Sequence, residues 1–237
     1  MTARFGFIDG LRALEEQLRG ELQLSARTLP RELERLSGTF REKPATLTAR
    51  AYSGPSCRYA RFVELESEEL EIANLVILPE ADTSLPILGV DLVGVGRDTA
   101  VAVADLSPVT PDTSVRHAQL ECLERHHTSR LPPETRLELP GWALEWFSRG
   151  ALSARIGLAL AETTRRAVGE FADAFVELAR GAGASPNDVE SVASRHAAYC
   201  RSHRDQDRGL LLLRRIFEPL VADRFLREVL FPERIPA

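Results

Sequence analysis

The most constraining stretch of this sequence lies at residues 57–110, where four β-rich runs follow one another with short links. CRYARFVELE and LEIANLVILP alternate or run apolar on either side of an acidic tip, which predicts a hairpin. LPILGVDLVGV and TAVAVADLSPV then flank the turn residues GRD, which predicts a second one. Four neighbouring strands joined this closely point to an antiparallel sheet rather than a parallel βαβ array.

Helical periodicity surrounds that block. Phe7, Ile8, Leu11, Leu14 and Leu18 share one face of a helix predicted over residues 7–23. Polar, proline-punctuated sequence follows to about Pro55. Beyond residue 111 the spacing predicts a short helix at 114–127, a short turn or helix from Trp142 to Phe147, and a strong amphipathic helix at 161–180. Ser185–Pro186 reads as an N-cap with proline at the first helical position, opening a helix to about Arg204. A helical tail from about Arg208 to Phe231 carries a break at Pro219. Helices before and after one sheet predict an α+β fold, a three-layer α/β/α sandwich over residues 1–237 as a single domain.

Composition narrows the function. A net charge of −5 argues against a general nucleic-acid binder. No run approaches the roughly 20 apolar residues of a membrane helix, and the N-terminal stretch lacks a signal-peptide core, so a soluble cytoplasmic protein is expected. Cys57, Cys122 and Cys200 lie too far apart for a zinc-type spacing, and their odd number argues against a disulfide framework. Lys43 is the only lysine, so nearly all positive charge is arginine, which suits ligands bearing carboxylates; high-GC coding bias gives the same excess.

Common catalytic signatures are absent: there is no HExxH, GxSxG or GxxxxGK[ST]. His126–His127 are adjacent and point about 100° apart on a helix, a poor metal clamp that reads as a solvated helix end. Cys200 and His203 share a helical face and read as packing. Asp91 is more telling. It interrupts an apolar strand, where a carboxylate is costly unless paired or used, and it shares a face with Gly89, which leaves room for a ligand. Asn74 interrupts the preceding strand in the same way. Both groups can project into one pocket; equally, Asp91 can cap a turn or accept internal hydrogen bonds. Asp207 stands where a polar segment enters an apolar helix and reads as an N-cap or an exposed acid, and Arg155 and Arg208 read by themselves as surface residues.

Taken together these segments resemble the ferredoxin-dependent bilin reductases. The resemblance rests on LPILGVDLVG with VAVADLSPV, the hairpin FVELESEELEIANLVILPE, LPGWALEWFS at 139–148, YCRSHRDQDRG at 199–209 and the ending ADRFLREVLFP. It implies an antiparallel sheet between helical layers, with biliverdin IXα between the sheet and the C-terminal helices. It further implies Asp91 as the catalytic strand aspartate and Asp207 as a second acid on the helix side. Arg155 and Arg208 would hold the propionates, Gly89 would line the substrate site, and Glu64 would assist vinyl reduction. Asn74 stands where the phycocyanobilin-forming branch carries histidine; members making phycoerythrobilin, its dihydrobiliverdin precursor or phytochromobilin resemble this chain in having asparagine there. The ADLSP and LPxW segments look more like the phycocyanobilin branch.

The expectation is therefore an enzyme without bound metal or cofactor. It would receive single electrons from a reduced ferredoxin of the two-iron, two-sulfur type, act as a monomer, and reduce biliverdin to a phycobilin in proton-coupled steps. A ferredoxin partner, usually acidic, implies an arginine-rich docking face. The competing expectation is a bilin carrier or chaperone that keeps the fold without the chemistry.

Overall fold

The central sheet grows from two hairpins. The computed structural model describes residues 4–96, 98–183, 189–206 and 209–232. The strands numbered β4 (Cys57–Ser67) and β5 (Leu70–Pro79) meet across a two-residue turn. β6 (Ile87–Val95) and β7 (Thr99–Ser107) pair next to them, and Gly96 takes the left-handed turn with φ 64°. β5 and β6 also pair antiparallel, which sets Asn74 directly opposite Asp91. The sheet extends beyond these four strands. β3 (Lys43–Gly54) adds to β4, and β1 (Ser25–Arg27) and β2 (Arg35–Phe40) lie in tandem along its outer edge. β8 (Leu152–Ile156) adds to β7, completing an eight-stranded sheet.

The segment that reads as polar and proline-punctuated thus holds three strands and a one-turn helix, α2 (Arg31–Glu34). Its signal is weak because β3 turns Ala45, Leu47, Ala49 and Ala51 to one side, and alanine carries little β propensity. β8 is five residues long and includes Arg155.

Helices cover both faces. On one side lie α1 (Phe7–Glu21), α3 (Thr113–His126) and α4 (Ala161–Gly181). Leu11, Leu14 and Leu18 of α1 and Phe171 and Phe175 of α4 pack there against Phe62, Leu75, Leu88 and Val90 of the sheet. Asp112 caps α3, accepting from the Ser114 N–H at 2.8 Å. The other side carries α5 (Val189–Gln206), α6 (Gly209–Ile216) and α7 (Pro219–Phe225), with a π-turn at Leu226–Leu230. Pro219 occupies the first turn of α7 behind the Glu218 cap, where its missing N–H costs nothing. Val192, Tyr199, Leu213 and Phe225 pack there against Val63, Leu65, Val76 and Ile87. The result is the three-layer sandwich with a central antiparallel sheet. The Ser185–Pro186 cap lies outside the described residues.

The three cysteines are buried free thiols. No described helix is long and apolar enough to cross a membrane.

Candidate active site

The two faces of the sheet differ in how well they are sealed. Toward α1 and α4, Leu88, Val90 and Leu92 are at most 3% exposed. On the opposite face of the same strand Gly89, Asp91 and Val93 stay half-buried, as do Ile72 and Asn74 on β5 and Val101 and Val103 on β7. This face is a largely apolar platform with polar groups near its middle.

Asp91 and Asn74 are those groups. Asn74 Nδ2 donates to Asp91 Oδ1 at 2.8 Å. Behind Asn74 stands Arg61 of β4, wholly buried, whose Nη1 donates to Asn74 Oδ1. Arg61 Nε donates to the Leu230 carbonyl at 2.6 Å, and the guanidinium lies 5.1 Å from the centre of the Phe231 ring. Burial holds the Arg61 pKa below its ordinary value, against the opposing pull of Tyr59, Tyr199 and Asp91.

An aromatic wall from the C-terminal side faces the platform. Tyr199 and His203 of α5 lie with ring centres 3.9 Å apart, and Trp142 and Phe231 each lie 5.1 Å from His203. A Cβ at position 89 would lie 3.4 Å from the Tyr199 hydroxyl, so glycine there admits the close approach of that ring. His203 Nδ1 sits 2.9 Å from the Tyr199 carbonyl, an acceptor only, so Nδ1 carries the proton. Burial lowers the His203 pKa to about 4 and keeps the ring neutral.

Asp105 of β7 stands opposite Gly89 in the register, fully buried. It accepts from Ser107 Oγ at 2.7 Å, from the Ser148 N–H at 3.0 Å and from the Ser148 hydroxyl, fixing the turn that carries Trp142, Trp146 and Phe147. Burial raises its pKa to about 6 against the pull of those bonds.

The remaining site residues divide. Arg155 is exposed and opposite Val101, hence on the Asp91 face. Strand spacing puts it about 12 Å from Asp91 between Cα atoms. Among the described residues it has no ionic partner, which suits a ligand carboxylate. Asp207 and Arg208 lie outside the described residues.

Glu64 departs from the expectation. It points to the opposite face of the sheet, alternating with Val63 and Leu65, and joins a charge cluster beneath α1. Arg12 Nη2 donates to it at 2.8 Å and Arg50 Nη2 donates to its other oxygen. Burial works to raise the Glu64 pKa, but these bonds outweigh it and hold the carboxylate below the ordinary range. Its carboxylate is therefore ion-paired on the face of the sheet away from the Asn74–Asp91 pair. The period-2 alternation already separates it from Asn74 once the β4–β5 register is known.

Sequence reasoning missed Arg61, Tyr199 and Asp105. Arg61 carried a usable signal, a charge inside an apolar strand on the same face as Asn74. His126 closes α3 and, in an exposed contact, lies 2.6 Å from Glu177 of α4, beside Arg125. With Cys122 these two residues place a thiol, an imidazole and a carboxylate within 4.8 Å of one another, a donor set on the α3–α4 seam away from the platform.

The sandwich thus sets a polar pair at the centre of a half-open sheet face beneath aromatic side chains of the C-terminal helices. The profile of the ferredoxin-dependent bilin reductases matches residues 11–232, and the chain belongs to that family of oxidoreductases. It is 25% identical over 231 residues to the 15,16-dihydrobiliverdin:ferredoxin oxidoreductase of Nostoc punctiforme, covering 95% of each chain. It is 28% identical over 251 residues to the phycocyanobilin:ferredoxin oxidoreductase of Prochlorococcus marinus, covering 97% of this chain and 87% of that one. In fold it is similar to phytochromobilin synthase from tomato, solved in complex with biliverdin. The TM-score is 0.81 at 16% identity, over 95% of this chain and 82% of the other.

Proposed function

We propose that this protein reduces biliverdin IXα to a phycobilin, taking electrons one at a time from reduced ferredoxin and supplying the protons itself. The observation that carries the reading is the hydrogen-bonded Asn74–Asp91 pair on the half-open apolar face. A carboxyl covered by a large apolar pigment is desolvated, which favours its protonated form and makes it a proton donor near neutral pH. Asp91 is the central donor in this reading, Asn74 orients it against the lactams, and Arg155 meets a propionate. From the family resemblance Asp207 serves as a second donor and Arg208 as a second propionate partner. Glu64 takes no part.

Asparagine at 74 favours products of the 15,16-dihydrobiliverdin or phycoerythrobilin type over phycocyanobilin. The test is anaerobic incubation with biliverdin, reduced ferredoxin and a regenerating system, followed by visible spectra and chromatography. Loss of biliverdin absorbance with formation of a 15,16-reduced bilin is expected. Binding without any conversion would leave a pigment carrier.

A further inference from the structure

Arg61 is an unusual residue to bury. It is 0% exposed, and among the described residues its Nη2 has no hydrogen-bond partner. Taking a guanidinium out of water costs several kcal/mol unless its bonds return it. Two of those bonds go to one place each: Nη1 to Asn74 Oδ1 and Nε to the Leu230 carbonyl.

The first bond has a chemical consequence. Arginine can only donate, so the Asn74 oxygen must face it and the Asn74 NH2 must face Asp91. Asp91 Oδ1, 2.8 Å from that nitrogen, is then held as an acceptor. The carbonyl oxygen of a carboxylic acid accepts better than its hydroxyl, so this bond favours the Asp91 proton on Oδ2. Without Arg61 the amide could turn over by 180°, present its oxygen to Asp91, and draw the carboxyl proton onto Oδ1.

We infer that Arg61 is a positioning residue that locks the Asn74 amide and so fixes which oxygen of Asp91 carries the transferable proton. The inference rests on the assignment of Asp91 as proton donor. Its anchor at Leu230 and Phe231 ties that lock to the C-terminal segment, so the end of the chain participates in ordering the acid.

The test compares wild type, R61M, N74L and R61M/N74L in biliverdin reduction at saturating reduced ferredoxin, with Asn74 side-chain amide exchange followed by NMR. R61M is expected to lower kcat on the order of tenfold, part of the 10²–10⁴ that a positioned acid supplies. KM should change little, and Asn74 amide protons should exchange faster. In the N74L background R61M should cost nothing further, because there is no amide left to orient. R61K, which retains one donor for Asn74 Oδ1, should recover kcat to within about threefold of wild type, and it carries the comparison if R61M does not fold. An equal loss of kcat from R61M with and without Asn74, or Asn74 amide exchange unchanged in R61M or R61K despite lost turnover, would overturn the lock. Wild type that fails to reduce biliverdin removes the functional reading instead, and the amide exchange still decides whether Arg61 fixes Asn74.

Discussion

Replacing Glu64 by glutamine separates a structural anion from a catalytic one. The wild-type carboxylate accepts from Arg12 Nη2 at 2.8 Å, from Arg12 Nε at 3.2 Å and from Arg50 Nη2. Bonds to charged groups contribute about 1.5–3 kcal/mol each when buried. The Arg12 side chain is 56% exposed, so solvent screens its share strongly. Arg50 is not abandoned, because Glu15 still accepts from its Nε at 2.8 Å and its Nη2 at 2.7 Å. Glutamine also keeps one acceptor oxygen. The net loss is therefore about 2 kcal/mol, the remainder of one charge-assisted bond. For a chain of this length that is a fall in Tm of roughly 4–8 °C. Urea unfolding and thermal melts of E64Q should show it, while turnover per folded molecule stays near wild type at 25 °C. Unchanged stability with a large loss of turnover would refute the reasoning and return Glu64 to the chemistry.

Two further outcomes follow from the same geometry. His196 is buried, among the described residues neither ring nitrogen is hydrogen-bonded, and burial, aided by Arg58, lowers its pKa to about 3. Its contribution to stability is complete above its unfolded pKa near 6.5 and is lost as pH falls toward the folded value, at about 1.4 kcal/mol per pH unit. H196L should make unfolding free energy less pH-dependent by about that slope between pH 6 and 5; an identical slope would contradict the burial argument. Arg155→Gln should raise KM for biliverdin about tenfold with kcat little changed, as expected for a charge-assisted contact made in ground and transition states alike. A biliverdin monomethyl or dimethyl ester should lose that difference between variant and wild type.

The parts of this molecule legible in its sequence are those whose periodicity is strong. The hairpins at residues 57–110 and the helix at 161–180 alternate or repeat with large apolar residues, and both stand as predicted. β3 was hidden by alanine and threonine, and β8 by its brevity. The same rule explains the site. Asp91 and Asn74 stood out as polar breaks in apolar strands, and the β5–β6 register brings them together. Glu64 stood out by family resemblance, but strand alternation turns it to the other face. Arg61 breaks its apolar strand as Asp91 and Asn74 break theirs, but only the β4–β5 register shows that it shares the face of Asn74. Tyr199 and Asp105 depend on contacts between segments far apart in the chain, which local patterning does not carry.

Turnover of an Asp91→Asn variant tests the central claim most directly. Asparagine keeps the size of the side chain and one acceptor oxygen for Asn74 Nδ2, but it has neither the dissociable proton nor the charge of the acid. The variant should bind biliverdin within a few-fold of wild type, and the rate of conversion with reduced ferredoxin should fall by about 10²–10⁴. Conversion at an undiminished rate would mean that the protons reach the pigment by another route.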